Sequence, residues 1–274
     1  MISTIVVIIV RFILIVFLLQ FSTALLAKSI AHNKSSSVRI KARIAIVIDD
    51  IGYRKTDQAA LNLPGNFTFS ILPHTPYGKT LAEQAHLNNH DILLHIPMEA
   101  QNGKKLGPGA LTVDMGEQNI RDSLAASFDE IPFAVGINNH MGSKLTQLYR
   151  PMAWTMRYLK EKNVLFLDSL TSQKSKAGRV ARYFDVPELN RSVFLDNQLD
   201  QQYITQQFLQ LIRQAKNSRS NTAIAIAHPH PETVKALTML IPLLAKENIE
   251  LVPISQLLPA PLPTTDKLAS IVSD

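Results

Sequence analysis

The chain has 274 residues, 46% of them hydrophobic, with eight histidines, a formal net charge of +6 and no cysteine. Without a thiol there is neither a disulfide framework nor thiolate ligation, so any metal must be held by imidazoles and carboxylates. The positive charge is spread along the chain and lies partly near its start, with no basic block interleaved with aromatics, which argues against a nucleic-acid partner.

Residues Ile2 to Leu26 are almost wholly apolar, interrupted mainly by Ser3, Thr4, Arg11, Gln20, Ser22 and Thr23. The segment 1–27 reads as an export signal or, uncleaved, as an N-terminal membrane anchor, and sends the protein to the periplasm or cell envelope. Residues 28–42, with Lys28, Lys34, Arg39 and Lys41 among serines, read as a flexible leader. Residues 43–257 are sufficient for one α/β domain, and the proline-rich stretch 258–274 reads as a disordered tail.

Within the domain, strand-length apolar runs alternate with amphipathic stretches, the pattern of a mainly parallel α/β fold. In chain order the expected elements are a strand at Arg43–Ile48, a helix at Thr56–Leu61, a strand at Phe67–Leu72, a helix at Tyr77–Asn88 and a strand at Asp91–Ile96. A glycine-rich loop at Gln101–Asp114, long enough to form a rim over a site, leads to a helix at Glu117–Phe128 and a strand at Ala134–Asn138. A helix at Leu148–Lys162, a strand at Val164–Leu167 and a second long polar connection at Thr171–Asn190 follow. The chain finishes with a strand at Val193–Leu195, a helix at Gln201–Lys216, a strand at Thr222–Ala227, a helix opened by Pro231 and a strand at Leu251–Ile254. That count predicts a barrel of about seven or eight strands.

The strand ends carry the chemistry. The first delivers Asp49-Asp50 and turns away at Gly52; the third ends in His95-Ile96-Pro97-Met98-Glu99, the fourth in Asn138-Asn139-His140-Met141-Gly142-Ser143, the fifth in Asp168-Ser169 and the seventh in His228-Pro229-His230. In a barrel such C-terminal ends meet at one mouth. A lone histidine is ordinarily just hydrogen-bonded, and His32, His74, His86 and His90 fall under that reading. His95, His140 and His228 each follow an apolar strand on the same rim, and imidazoles with carboxylates suit zinc or another divalent transition ion.

This ordered set, Ile48-Asp49-Asp50-Ile51-Gly52, His90 to Glu99, Asn138 to Ser143, Phe166 to Ser169 and Ala225 to His230, resembles the divergent polysaccharide deacetylase family, an offshoot of the metal-dependent carbohydrate esterases. The resemblance implies a distorted (β/α) barrel that removes acetyl groups from an acetylated polysaccharide with the help of a divalent metal ion, zinc first among them. It implies Asp49 as the catalytic base, Asp50 and His95 as metal ligands and His228 as the general acid, with His230 as its fallback. The superfamily's second motif has two histidines four residues apart, and here the second position is Glu99. Either Glu99 or His140 therefore completes the metal site. Asn138, Asn139, Ser143 and Asp168 fall to substrate or oxyanion contacts. A different class stays open, a non-catalytic glycan-binding or scaffolding protein that keeps the barrel. A glycosidase would need Asp168 or Asp196 to join the aspartate pair across the scissile bond, and in a purely structural reading these residues cap turns. Neither the glycan nor the oligomeric state follows from the sequence.

Overall fold

The computed structural model describes residues 41–258. The apolar N-terminal segment, the leader up to residue 40 and the tail from residue 259 lie outside the described residues. Among the described residues no helix is long and apolar enough to cross a membrane.

The elements alternate as the apolar runs require: β1 (Ala42–Ile51), β2 (Thr68–Ile71), α1 (Gly78–Leu87), β3 (Asp91–Met98), α2 (Glu117–Glu130), β4 (Gly136–Met141), α3 (Tyr149–Lys162) and β5 (Leu165–Asp168). Then come α4 (Ala177–Tyr183), β6 (Glu188–Asn190), β7 (Val193–Phe194), α5 (Gln201–Asn217), β8 (Thr222–Ala227), α6 (Pro231–Lys246) and β9 (Ile249–Leu251). Short 3-10 helices occupy Lys55–Asn62, Leu145–Gln147 and Ile254–Leu257. The expected connection at 171–190 therefore contains α4 and β6, both too short to leave a periodic signature. The last strand sits earlier than expected, because Pro253 ends it and opens a 3-10 turn.

The described strand pairings are all parallel, in the order β6-β5-β4-β3-β2-β1-β8-β7, with β9 pairing with β1 off this path. β1 is the hub: its start pairs with β9, its end with β2, and its other edge with β8. The two outer strands, β6 and β7, are joined by Arg191 and Ser192 alone. This segment spans the seam of the curled sheet, since Arg191 N donates to Asp168 O, and Ser192 N donates to Ile224 O. The result is a barrel open along one seam, with the helices outside.

Because both faces of a parallel strand are covered, the runs are apolar throughout, yet the faces separate cleanly. Ile44, Ile46 and Ile48 on β1, Ile92 and Leu94 on β3, Phe166 on β5 and Ala225 on β8 belong to the core under the helices. Ala45, Val47, Leu93, Leu165, Leu167, Ile224 and Ile226 form a second core inside the barrel, closed below by Val252, Ile254 and Leu257. Alternation with period two is what sorts them.

Gly136 lies inside this plug, where β4 pairs with Leu93 and Leu165 of its neighbours. A β-carbon there would sit 2.4 Å from Leu165 O and 2.5 Å from Leu165 Cγ. Gly136→Ala is therefore expected to destabilise the domain by about 1–3 kcal/mol through overpacking. Thermal unfolding followed by circular dichroism checks it; for a domain of this size each kcal/mol lowers the midpoint by roughly 2–4 °C.

Candidate active site

The inward-facing position two residues beyond the interior plug turns polar on strand after strand. Val47 is followed on its face by Asp49, Leu93 by His95, Leu167 by Ser169, Ile226 by His228, and Phe194, which packs on the plug, by Asp196. Ser70 and Asn138 hold the matching places on β2 and β4. The barrel interior thus changes from hydrocarbon to a hydrogen-bonding layer in one step, at the mouth end.

Asn138 is the centre of that layer and is wholly buried. Its Nδ2 donates to Asp49 Oδ1 at 2.9 Å and Oδ2 at 3.1 Å, and approaches Ser169 Oγ at 3.3 Å. Its Oδ1 accepts from Ser70 Oγ and from His95 Nδ1, the latter at 2.8 Å. With the amide oriented by these partners, Nδ1 of His95 carries the hydrogen, and in the neutral ring Nε2 presents a lone pair to the mouth.

Asp50 reaches the same cavity by a different route. On a regular strand its side chain would point to the helix layer, opposite Asp49. Instead the register slips between Ile48 and Ile51, and Asp50 adopts φ 60°, so a bulge turns it inward. The turn is pinned by buried Asp57, whose Oδ2 accepts from Gly52 N and Arg54 N, both at 3.1 Å. Gly52 itself has φ 136°, and a β-carbon on it would meet Thr75 Oγ1 at 2.2 Å, so no other residue fits.

Asp50 Oδ1 lies 3.1 Å from His95 Nε2 and 2.8 Å from His140 Nδ1, and the two nitrogens are 3.2 Å apart. The oxygen is buried yet has no hydrogen bond that satisfies it. Three ligand atoms, one each from Asp50, His95 and His140, lie within 4.8 Å of one another. A carboxylate oxygen and two imidazole nitrogens converging on one point, with the oxygen left without a hydrogen bond, fit a divalent transition ion of the zinc type.

Glu99 does not join this cluster. Its Oε2 accepts from Val113 N at 2.8 Å and its Oε1 from Lys144 Nζ, so the carboxylate anchors the loop at 101–114. His140, on the neighbouring strand, stands beside Asp50 and His95. The side-chain amides expected to face an oxyanion are also spent: Asn138 on Asp49 and Ser169, and Asn139 on Met141 O, while its Oδ1 accepts from Ser169 N. Ser143 Oγ accepts from Gln101 N, and Asp168 accepts from Leu170 N and Ser175 Oγ, so both brace loops. His230 is the residue before α6, its ring 6.0 Å from that of His228.

His228 stands across the cavity, Nε2 3.9 Å from Asp50 Oδ2. Asp196 fixes it: Oδ1 lies 3.0 Å from His228 Nδ1, and Oδ2 accepts from His228 N at 2.7 Å and Thr233 Oγ1 at 2.9 Å. The sequence alone points to Asp196 only as a glycosidase carboxylate and to no role for Ser70, Asp57 or Thr233. The step of two residues beyond Phe194 places Asp196 inward only once Phe194 is seen to pack on the plug, and Asp57 has no sequence signal beyond its distance from Asp50.

The electrostatics follow from burial and partners. Burial raises Asp49 above the ordinary carboxylate value, opposed by His95 and His228 and reinforced by Asp50. Burial would also raise Asp50, but His140 and His95 outweigh it and hold the carboxyl well below that range. Burial acts to lower His95, yet Asp49 and Asp50 raise it. Burial likewise pulls His228 down, and the hydrogen bond and charge of Asp196, with Asp50 and Asp49 behind, lift it to about 9.

The family model for divergent polysaccharide deacetylases matches residues 46–258. The chain is 37% identical over 207 residues to YibQ, an uncharacterised protein of Escherichia coli K12, covering 75% of this chain and 64% of that one. It is 36% identical over 198 residues to an uncharacterised protein of Haemophilus influenzae, covering 72% and 70%. The chain thus spans less than two thirds of the length of the E. coli relative. Among solved structures, an uncharacterised protein of Agrobacterium tumefaciens C58 superposes with a TM-score of 0.75 at 26% identity, covering 79% of this chain and 89% of that one.

Two outcomes are expected. Asn138→Ala strands Asp49 and the Nδ1 hydrogen of His95, which should cost about 2–3 kcal/mol of stability and weaken metal affinity roughly 10–100-fold, read by chemical denaturation and by competition with a chelator. The second concerns pH. The folded-state value of His228 is raised from 6.5 to about 9, so in metal-free protein its stabilising contribution is fully present below about 6.5 and is lost as pH rises through about 9. Asp196→Asn should flatten that slope and move the His228 imidazole titration downwards, as followed by NMR.

Proposed function

The chain belongs to the divergent polysaccharide deacetylase family, and on that footing we propose that it hydrolyses acetyl groups from an envelope or secreted polysaccharide. The observation that carries this reading is the sharing of one cavity by a buried carboxylate, a carboxylate-imidazole ligand cluster and an aspartate-held imidazole on the far side. The apolar run Ile2–Leu26 supports an exported or membrane-held enzyme, and hence a glycan outside the cytoplasm.

Asp50, His95 and His140 would hold the metal. A divalent ion bound there supplies Lewis acidity toward the acetyl carbonyl. Asp49 is adjacent, its Oδ2 3.6 Å from His95 Nε2, but both of its oxygens are held by Asn138. That fixes its orientation, and its raised affinity for protons suits a base. Asp49 takes a proton from the attacking water while the water oxygen bonds to the acetyl carbon. Collapse then breaks the bond between that carbon and the sugar nitrogen or oxygen, and His228 Nε2 protonates the leaving atom. With Nδ1 held by Asp196, Nε2 is the nitrogen left to face the mouth. An imidazole lifted to about 9 is charged at neutral pH and so enters the cycle as an acid. Acetate and the deacetylated sugar leave, the proton taken by Asp49 passes to solvent, and His228 takes a proton back from solvent, so both groups return to their starting states.

Metal content and acetate release, measured on the full-length protein, test the reading. Asp50→Ala and His140→Ala should lose the metal, whereas Glu99→Gln should keep it. Asp49→Asn should keep the metal and lose about 10²–10⁴ in kcat. A wild-type protein that holds zinc and binds acetylated oligosaccharides, yet releases no acetate from any of them, would overturn catalysis in favour of a glycan-binding module.

A further inference from the structure

Beside the mouth, outside the ligand cluster, lies a groove of about 810 Å³. It runs between the 3-10 helix that follows β1 and the first turns of the helix that follows β8. Because β1 and β8 are neighbours in the sheet, the segments leaving their C-terminal ends descend side by side and leave this channel between them. Its position relative to the chemistry is set by the chain itself: Arg54 lies four residues after Asp50, and Pro229 directly follows His228.

The lining combines an apolar floor with cations. Pro229, Pro231 and Val234 supply hydrocarbon, and Arg54, Lys55 and Lys235, all exposed, supply positive charge; none of the lining residues is acidic. Arg54 is ion-paired with Asp57, Nε to Oδ1 at 3.2 Å, so the unbalanced positive charge of the groove comes from Lys55 and Lys235. The backbone N and the Nε of Arg54 both donate to Asp57, which is 1% exposed and lies beneath it, and among the described contacts its two terminal amino groups have no partner. Lys55 and Lys235 make no ion pair among the described residues. A pair of forked N–H donors with two flanking ammonium groups over an apolar floor matches a sugar that offers the C–H face of its ring and a planar carboxylate.

We propose that this groove is a subsite for an acidic sugar, and that the substrate is a carboxylate-bearing acetylated glycan whose charged residue lies next to the sugar being deacetylated. The inference rests on the deacetylase reading for the meaning of "next to", but the groove's preference for anionic glycan is independent of turnover. Lys55 and Lys235 act through charge on binding and take no part in proton transfer.

The test uses the full-length zinc-loaded protein and three probes: N-acetylglucosamine oligomers, hyaluronan oligomers of matched length, which carry a carboxylate on alternate sugars, and the neutral oligomers bearing phosphate esters. Binding is measured by calorimetry and acetate release in parallel, for wild type, for the Lys55→Gln/Lys235→Gln double variant and for Lys55→Arg/Lys235→Arg. Wild type should bind the carboxylate-bearing oligomer roughly tenfold more tightly than the neutral one, as two or three partly exposed ion pairs would give. The glutamine variant should lose that preference, with neutral oligomers bound as before; the arginine variant should keep it, and raising the salt to about 1 M should erase it. Equal binding of all three probes by wild type, an unchanged preference in the glutamine variant, or a preference confined to phosphate would each overturn the proposal. Absence of acetate from every probe would instead count against the deacetylase reading, and the binding measurements would still decide the groove.

Discussion

Two successive residues of a β-strand cannot both face the same cavity, and the whole site depends on breaking that rule once. Asp49 obeys it: it follows Ala45 and Val47 on the inner face. Asp50, in regular geometry, would follow Ile46 and Ile48 into the helix layer, where a carboxylate would be buried against hydrocarbon without a partner, at a cost of several kcal/mol or a proton. The bulge between Ile48 and Ile51 reverses it. A positive φ is uncommon for a residue with a side chain, though aspartate tolerates it better than most, and the conformation persists because the following turn is held from three directions. Asp57 draws in Gly52 and Arg54, Thr75 crowds Gly52, and Ile51 re-enters the ladder opposite Ile71.

Once both carboxylates share the cavity, their different surroundings separate their roles. Asp49 is held by one amide and faces imidazoles at a distance, so burial dominates and its proton affinity rises. Asp50 has two imidazole nitrogens at about contact distance, so those contacts outweigh burial and its proton affinity falls. One carboxylate is thereby suited to accept a proton and the other to remain an anion. Asn138 couples the two sides, since a single side chain orients Asp49, the proposed base, through its nitrogen and His95, a proposed ligand, through its oxygen. On the far wall Asp196 holds His228 through Nδ1 as Asn138 holds His95, but as a carboxylate, and its hydrogen bond and charge outweigh burial, which suits His228 to the proposed role of acid.

Much of this was legible in the sequence because apolar runs and the residues that end them are local. The strand at Thr222–Ala227 and the helix starts at Glu117, Gln201 and Pro231 agree between sequence and structure, and Asp49, Asp50, His95, His140 and His228 were placed on one rim from strand ends alone. What escaped was set by contacts between distant residues. β6 consists of three residues whose place is fixed by pairing with β5, and α4 has only seven, too few for a periodic signal. The inward parity of Ser70 and Asp196 could not be read from strands that are apolar on both faces, since a continuous run hides which alternate set faces inward. Asn138 carried the right position with the wrong role, because the demand for its two ends comes from β1, β2 and β3.

The departure at Glu99 has a structural logic of its own. A second ligand on the same strand, four residues beyond His95, would have to come from a chain that has already left the sheet, for β3 ends at Met98. Here the strand end is committed elsewhere: Glu99 N donates to Leu111 O, Lys144 N and Leu145 N donate to Glu99 O, and its carboxylate holds Val113 and Lys144. The glutamate thus ties the rim loop to the turn after β4. In the proposed site the third ligand would come instead from β4, where His140 is in register with Pro97, two places above the His95–Asn138 pair. That position lies within the ladder and not in the rim loop. On the proposed reading, the two tasks that one motif would have combined, gripping an ion and shaping the mouth, are divided here between β4 and Glu99.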